Sequence, residues 1–186
     1  MNHLDAFIHL RTASCIPTVA MSTSRSLTNG NGRVYVRFML KEVLTPELVT
    51  THLEGHDKRT VIQNMLELLA KSGKVKDMDV ALRDLLEHEA RMSTGMENGI
   101  AIPHAKSDAV DELIAAIGVT PRKINFECLD RKPAQIFIMT LSPTGTGGPH
   151  VQFLKEIGRL LQEKRRRKLM LRAKTSEDLL AALVDD

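Results

Sequence analysis

Two near-continuous aliphatic runs constrain the fold of this chain more than any other feature. Residues 113–120 read LIAAIGVT, and residues 135–141 read QIFIMTL. A strand with apolar side chains at nearly every position must be covered on both faces, as in a sheet flanked by helices. Between the runs, Pro121-Arg122-Lys123 and Asp130-Arg131-Lys132-Pro133 have the composition of turns. The runs therefore predict two buried strands separated by turns.

Helices that could cover this sheet are indicated on both sides of the runs. Asp57 precedes an amphipathic pattern that ends near Gly73, and Asp77 precedes a second one, from Val80 to about Ala90. Asp is a common N-cap, and Gly commonly follows a helix. Further elements are predicted as helix starts at Thr45-Pro46, at Pro149 and at Thr175 or Ser176, and as an edge strand over Val49 to Leu53. The expected fold class is α/β, with a mixed β-sheet sandwiched between helical layers.

The segment from Glu89 to Lys106, EARMSTGMENGIAIPHAK, carries the main chemical signal. Polar residues and glycines lead into a short apolar strand at residues 100–102, which runs into Pro103-His104. Proline fixes its own φ and favours extended geometry in the residue before it, so His104 follows a stiff backbone. An imidazole held in this way suits nucleophilic or general acid–base chemistry near neutral pH.

The stretch STGMENGIAIPH resembles the active-site segment of the type-2 (fructose/mannitol-type) enzyme IIA domains of the bacterial phosphoenolpyruvate-dependent sugar phosphotransferase system. It is most similar to the nitrogen-regulatory branch of that family. The resemblance covers about residues 39 to 184 and implies the enzyme IIA mannitol/fructose-type fold. It also implies that His104 is transiently phosphorylated by HPr, the histidine-containing phosphocarrier protein, or by its nitrogen-branch counterpart.

A Gly-rich loop at residues 142–150, SPTGTGGPH, supplies the second candidate residue. The loop lacks the Gly-Lys-Ser/Thr ending of a nucleotide-binding P-loop. Pro149 fits the first position of a helix, which puts His150 in the first turn, beside free backbone N–H groups and the positive end of the helix dipole. Helix N-termini bind phosphate for that reason. In the resembling family a second histidine opens this helix beside the phosphorylated one, which implies the same role for His150.

Four further residues are candidates for supporting a phosphoryl group on His104. The hydroxyls of Ser93 and Thr94 can donate hydrogen bonds to phosphate, but turn formation explains these residues equally well. The family usually has Arg-Glu sixteen residues before its active histidine, where this chain has His88-Glu89. Arg is always charged, whereas an unperturbed His is charged only below about pH 6.5. Either His88 partly substitutes, or Arg91, one helical turn later, supplies the charge.

Charge and composition argue against several other classes. Four arginines against one acid in residues 1–38 account for the net charge of +3, which leaves 22 residues of each sign, unlike a nucleic-acid-binding surface. No apolar run reaches the roughly 18 residues of a membrane span, and the N-terminus lacks a signal-peptide pattern. Cys15 and Cys128 form no disulfide or metal pattern, and His52 and His56 lack the arrangement of a zinc-protease helix. We expect a cytoplasmic protein without metal, cofactor or direct membrane insertion.

Two segments are interpreted from composition alone. Residues 1 to about 33 are rich in Ser, Thr, Asn and Gly, so residues 1–38 are predicted to be a flexible or dispensable extension and 39–186 the enzyme IIA-like domain. Translation from Met39 is one alternative, against which a strand at Arg33–Phe38 would argue. The run Lys164 to Lys168, KRRRK, is predicted to end a long helix, where it favours the dipole and stays solvated; a docking patch for an acidic partner is the alternative.

By resemblance, the chain is a phosphotransferase component that carries a phosphoryl group on His104. The next acceptor is either a cysteine of an enzyme IIB domain, in sugar transport, or none, if the phosphorylation state regulates binding to target proteins. The similarity of the motif to that of the nitrogen-regulatory branch favours the regulatory function. A phosphorylation-deficient binding module, suggested by His88, is the alternative function. A hydrolase function that uses His104 with Ser93 or Thr94 is not favoured, because the sequence shows no nucleophile elbow.

Overall fold

The computed structural model of the protein describes residue 40, residues 43–145 and residues 147–184. The extension predicted for residues 1–38 lies outside these residues, as do the strand considered at Arg33–Phe38 and the start considered at Met39. Among the helices of the described chain, none is long and apolar enough to span a membrane.

The described chain is organised around a five-stranded mixed sheet. Its strands are β1 (Val49–Thr50), β2 (Ile100–Ala101), β3 (His104–Lys106), β4 (Ile114–Ile124) and β5 (Ala134–Ser142). The two aliphatic runs form β4 and β5, which pair antiparallel in the middle of the sheet. β1 lies parallel to β4 at one edge, and β2 and β3 both lie parallel to β5 on its other side. The predicted edge strand is confirmed, although it is only two residues long.

After a 3-10 turn at Pro46–Leu48, the helices within residues 46–184 are α1 (Lys58–Ala70), α2 (Met78–Arg91), α3 (Gly148–Leu161), α4 (Lys164–Met170) and α5 (Ser176–Val184). The helices α1, α2 and α5 begin directly after caps that the sequence predicts. The Asp57 side chain accepts from the backbone N–H of Thr60 at 2.8 Å, and the Thr60 hydroxyl accepts from the N–H of Asp57 at 3.2 Å, a reciprocal capping box. Asp77 caps α2, and Thr175 accepts from the N–H of Asp178 at 3.1 Å.

Apolar side chains of the sheet pack on both of its faces. Along β5, Phe137 and Met139 belong to the core under α1 and α2, while Ile136 and Ile138 belong to the core under α3 and α5. Successive side chains of a strand point to opposite faces, so a strand covered on both sides must be apolar at consecutive positions. This arrangement confirms the predicted sheet between helical layers and explains why the two runs show no alternation.

One local prediction is wrong, and another is confirmed in a shorter form. Pro121-Arg122-Lys123 does not form a turn, because β4 continues through it to Ile124 with a register irregularity after Val119. Proline is tolerated in a strand where the hydrogen-bond ladder is interrupted. Thr45-Pro46 opens only a three-residue 3-10 turn, after which the backbone becomes extended at Val49.

The prediction for the basic run Lys164 to Lys168 is also wrong in its placement. The run opens a separate helix, α4, because the backbone of Glu163 is extended and ends the helical path of α3. Arg166 is buried and donates to the last carbonyls of α5, including that of Leu183. Arg167 donates to carbonyls at the end of α3. The run does serve helix C-termini, but those of two neighbouring helices, and at Arg166 it does so away from solvent.

Replacement of Arg166 by alanine is expected to lower the free energy of unfolding by about 2–3 kcal/mol, because buried carbonyls lose a charged donor. Urea unfolding followed by circular dichroism measures the loss. Arg165→Ala is the matched control, since Arg165 is exposed in the same helix and its loss is expected to cost less than about 0.5 kcal/mol. Equal losses in the two variants would contradict a structural role for Arg166.

Candidate functional site

His104 is held in a single ring orientation at the start of β3. The strand pairs with β5 so that His104 lies opposite Thr140. Nδ1 of the ring lies 2.8 Å from the carbonyl oxygen of Ile102. A carbonyl can only accept, so Nδ1 carries the proton and Nε2 keeps its lone pair. The half-buried ring therefore presents a nucleophilic nitrogen from a fixed backbone.

Three histidines from three different elements meet at this point. The ring centroid of His88, near the end of α2, lies 4.5 Å from that of His104, with the planes tilted by 54°. The ring of His150, in the first turn of α3, lies 5.7 Å from His104 on centroids, tilted by 47°. The predicted position of His150 is confirmed, in a helix that begins at Gly148, one residue before the proline. Two of the predicted site residues thus flank the third.

Burial keeps the two flanking imidazoles neutral. The pKa of His150 is lowered to about 4, first by burial and then by the neighbouring His104, Lys106 and His88. The pKa of His88 is also lowered, mainly by burial and by His104, against the opposing effect of Glu89. At neutral pH each ring offers one N–H donor and one acceptor nitrogen. His88 therefore does not supply the permanent charge that an arginine would.

Arg91 lies on the exposed surface of α2. Its side chain is 75% exposed, and its guanidinium contacts the Glu87 carboxylate at 3.3 Å, one helical turn away. His88 and Arg91 are the two residues that the sequence offers as a source of charge for the site. The structure places the ring of His88 against His104, whereas it pairs Arg91 with an acid on the surface.

Ser93 and Thr94 shape the loop that leads into β2. The Thr94 hydroxyl donates to the Glu89 carboxylate at 2.5 Å, and the Thr94 N–H reaches the same carboxylate at 3.1 Å. The Ser93 hydroxyl donates to the carbonyl of Phe126 at 3.0 Å. Both hydroxyl protons are used within the protein in this state, as the turn-forming interpretation expects. Their contact with a phosphoryl group stays a prediction.

Glu89 is a buried acid that sequence reasoning did not single out. Besides Thr94 it accepts from the ammonium group of Lys58 at 2.9 Å, and Lys58 also contacts Glu127 at 2.5 Å. Burial lowers the pKa of Lys58, but the hydrogen bonds to Glu127 and Glu89 outweigh it, so the pKa is raised. The pair ties the start of α1 to the end of α2, where His88 lies. A carboxylate next to His88, one helical turn before the loop, is the only sequence signal of this role.

The glycines of the motif are required by close approach and by backbone conformation. A Cβ on Gly95 would lie 2.8 Å from both the Cα of Cys128 and the carbonyl oxygen of Phe126. Asn98 and Gly99 have φ values of 65° and 78°, in the left-handed region that Gly and Asn tolerate best. The loop can therefore pass close to the segment before β5 and turn into β2.

Two buried hydroxyls near His104 were missed in the sequence. Among the described residues, the Oγ atoms of Thr140 and Ser142 have no hydrogen-bond partner, and the same holds for Nδ1 of His150 and Nε2 of His88. Thr140 and Ser142 lie on β5 opposite His104 and Lys106. Hydroxyl residues at alternate positions of an otherwise aliphatic strand are the signal that could have identified them.

Comparisons with known proteins identify a family to which the chain is similar. The model of the family described as "Phosphoenolpyruvate-dependent sugar phosphotransferase system, EIIA 2" matches residues 42–185. The fructose-specific EIIA component of Haloferax volcanii is 37% identical over 146 residues, 76% of this chain and 95% of that protein. A nitrogen regulatory protein of Pseudomonas aeruginosa is 28% identical over 146 residues, 78% of this chain and 95% of that protein.

A solved structure supports the fold prediction. The Escherichia coli enzyme IIA for mannitol, solved in complex with phosphorylated enzyme IIB, superposes with a TM-score of 0.66. The match covers 77% of this chain and 98% of that one at 18% identity. The likeness confirms the predicted α/β fold of the enzyme IIA mannitol type.

Substitution of Gly95 by alanine is expected to destabilise the fold by about 1–3 kcal/mol, because the new methyl group meets backbone atoms that cannot move aside. The matched control is Gly158→Ala in α3, where a Cβ meets no described heavy atom within 4 Å. That change should stabilise the protein by about 0.5–1 kcal/mol. Thermal unfolding of both variants tests the expectation, and a stabilising Gly95→Ala would refute the close-approach argument.

Proposed function

The chain belongs to the EIIA 2 family of the phosphoenolpyruvate-dependent sugar phosphotransferase system, and on that basis we propose that it carries a phosphoryl group on Nε2 of His104. The observation that carries the proposal is the 2.8 Å contact between Nδ1 and the carbonyl oxygen of Ile102. That contact leaves the lone pair of Nε2 free to attack phosphorus.

The donor in this proposal is an HPr-type phosphocarrier protein. The Nε2 lone pair forms a new N–P bond while the N–P bond of the donor's phosphohistidine breaks, and the electron pair of that bond returns to the donor imidazole. His104 keeps its Nδ1 proton throughout, so the phosphorylated ring is cationic. The carbonyl of Ile102 stabilises this cation, because it accepts from the Nδ1–H. Atoms and charge balance without a cofactor.

His150 and the start of α3 would bind the phosphoryl oxygens. A helix N-terminus offers backbone N–H groups and partial positive charge to an anion. His150 lies in that first turn beside His104, and its neutral ring adds one N–H donor. Donors fixed in a water-poor site before the reaction stabilise developing charge effectively. His88 lies against the acceptor ring and would supply a further donor there, while Ser93 and Thr94 would support the phosphoryl group from the loop.

The onward acceptor in the transport function is a cysteine of an enzyme IIB domain. The 37% identity to a fructose-specific EIIA component supports this route, and the solved complex of a mannitol enzyme IIA with phosphorylated IIB supports the partner. Transfer to such a partner would take place in the cytoplasm. Residues 39–186 would form the phosphocarrier domain, and residues 1–38 a separate extension.

Regulation is the second candidate function, favoured by the similarity to a nitrogen regulatory protein. Phosphorylation would add about two negative charges to the surface around His104, enough to change docking of a target protein. A phosphorylation-deficient binding module remains the alternative, because two neutral imidazoles flank His104 where the family usually has an arginine on one side.

Incubation with enzyme I, HPr and phosphoenolpyruvate is expected to add one acid-labile phosphoryl group, read by intact mass. His104→Ala should abolish the mass shift. His150→Ala should slow transfer by about 10²–10³-fold, the usual effect of losing one donor to the transition state. His56→Ala is the matched control, since His56 is 78% exposed and lies outside the three-histidine cluster. An unlabelled wild type would overturn the phosphocarrier proposal.

A charged residue at position 88 is expected to speed the reaction. His88→Arg should raise the transfer rate at pH 7.5 by up to about tenfold, because a permanent charge replaces a neutral ring beside the phosphoryl group. Arg91→Ala should leave the rate unchanged. Stopped-flow or quenched phosphotransfer measures both. If Arg91→Ala slows transfer and His88→Ala does not, the support belongs to Arg91. If only His88→Arg is labelled, the binding module is favoured.

A further inference from the structure

Two hydroxyl residues interrupt the apolar face of β5 that α3 covers. Ile136 and Ile138 on this face pack in the core with Phe153 of α3. The next two positions on the same face are Thr140 and Ser142, both with 0% of their surface exposed. Among the described residues neither hydroxyl has a hydrogen-bond partner. A buried hydroxyl without a hydrogen-bond partner is costly, so we expect each of these two hydroxyls to have a partner in the functional protein.

Helix and strand geometry places His150 at the level of Thr140. Ile100, which pairs with Ile136, lines the same cavity as Gly158 of α3. From Ile136 to Thr140 the strand advances about 13 Å at roughly 3.3 Å per residue. The same distance back along α3, at about 1.5 Å per residue, covers roughly nine residues and ends in the first turn, where His150 lies.

Ring contacts lead to the same placement. The His150 ring lies 5.7 Å from the ring of His104, and His104 is the strand partner of Thr140. Partners in a parallel pair point to the same face, so the Thr140 side chain lies beside His104 and under α3. Ser142, two residues further along, lies about 7 Å beyond this level, towards the loop that precedes the helix.

The role of His150 depends on which nitrogen carries its single proton. A neutral ring, as the lowered pKa indicates, has one N–H. If the proton were on the buried Nδ1, Nε2 would present a lone pair to an anionic phosphoryl group and repel it. A donor to the phosphoryl oxygens therefore requires the Nε2–H tautomer. That tautomer leaves Nδ1 as a buried acceptor, and among the described residues Nδ1 has no donor.

We propose that the Thr140 hydroxyl donates a hydrogen bond to Nδ1 of His150 and so fixes the tautomer whose Nε2–H faces the phosphoryl group on His104. Thr140 is then a positioning residue that acts through His150. The inference rests on the proposed phosphocarrier function and deepens it. The proposed hydrogen bond satisfies two buried polar groups, because the hydroxyl is a donor and the unprotonated nitrogen is an acceptor.

The test is the tautomer of His150 in the full, unphosphorylated chain. Protein labelled with ¹⁵N-histidine is studied by long-range ¹H–¹⁵N correlation NMR at pH 7.5, and the His150 signals are assigned by their loss in His150→Gln. The wild type is expected to show protonated Nε2. In Thr140→Val, which keeps the side-chain shape, the signals should shift to the Nδ1–H form or to a mixture, and Thr140→Ser should restore the wild-type pattern.

Thr120→Val is the matched control, because Thr120 is buried on β4 and its hydroxyl donates to the Arg122 carbonyl at 2.6 Å. It should leave the His150 pattern unchanged. Protonated Nδ1 in the wild type, or an unchanged pattern in Thr140→Val, would overturn the inference. If Thr140→Val does not fold, the wild-type and Thr140→Ser spectra decide, because both must show protonated Nε2.

Phosphotransfer rates separate this inference from the proposed function. Thr140→Val is expected to slow labelling by HPr about tenfold, with Thr140→Ser close to wild type. A tautomer that changes in Thr140→Val while the wild type accepts no phosphoryl group would support the hydrogen bond and overturn the phosphocarrier function. Normal labelling with a tautomer that does not depend on Thr140 would do the reverse.

Discussion

The antiparallel pairing of β4 with β5 determines where every functional side chain can lie. Because both strands are apolar on both faces, helices must cover the sheet on each side, and the core divides into one layer under α1 and α2 and another under α3 and α5. β3 adds to β5 in parallel, so His104 emerges beside Thr140 near the end of β5. The chain then leaves β5 and starts α3 within six residues, which brings the N-terminus of that helix back over the same end of the sheet.

An ion pair between buried Glu89 and half-buried Lys58 ties together the start of α1 and the end of α2, next to the site. Removing the Glu89 carboxylate from water is costly, and its attraction to Lys58 offsets this cost only when further hydrogen bonds satisfy the carboxylate. Thr94 supplies those bonds through its N–H and its hydroxyl. The same contacts fix the last turn of α2, where His88 lies, and the loop that enters β2. The polar residues of the motif therefore act first as structure, because they hold the turn of α2 that carries His88.

The sequence identified those parts of the site that depend on local signals. Pro103-His104 and the proline before His150 are readable because proline geometry and helix starts are determined by a few adjacent residues. The contact between His88 and His104 could not be derived from spacing, since it depends on how α2 packs against β3. Position 163 shows no Gly or Pro, so the break between α3 and α4 was missed and the basic run was misplaced. Thr140 was missed because a single hydroxyl does not alter the pattern of an aliphatic strand, and its alternation with Ser142 was the signal that went unused.

Neutral imidazoles make the stability of the unphosphorylated protein depend on pH. In the unphosphorylated protein the lowered pKa values of His88 and His150 favour the unfolded state below about pH 6.5, where an unfolded histidine binds a proton that the buried rings do not. Their contribution to stability is thus present above that pH and lost as pH falls towards the folded pKa, about 4 for His150. A phosphoryl group on His104 would oppose these shifts, because nearby negative charge raises the pKa of both rings. An arginine at position 88 would carry its charge in both states, whereas the two neutral rings contribute N–H donors without a permanent charge.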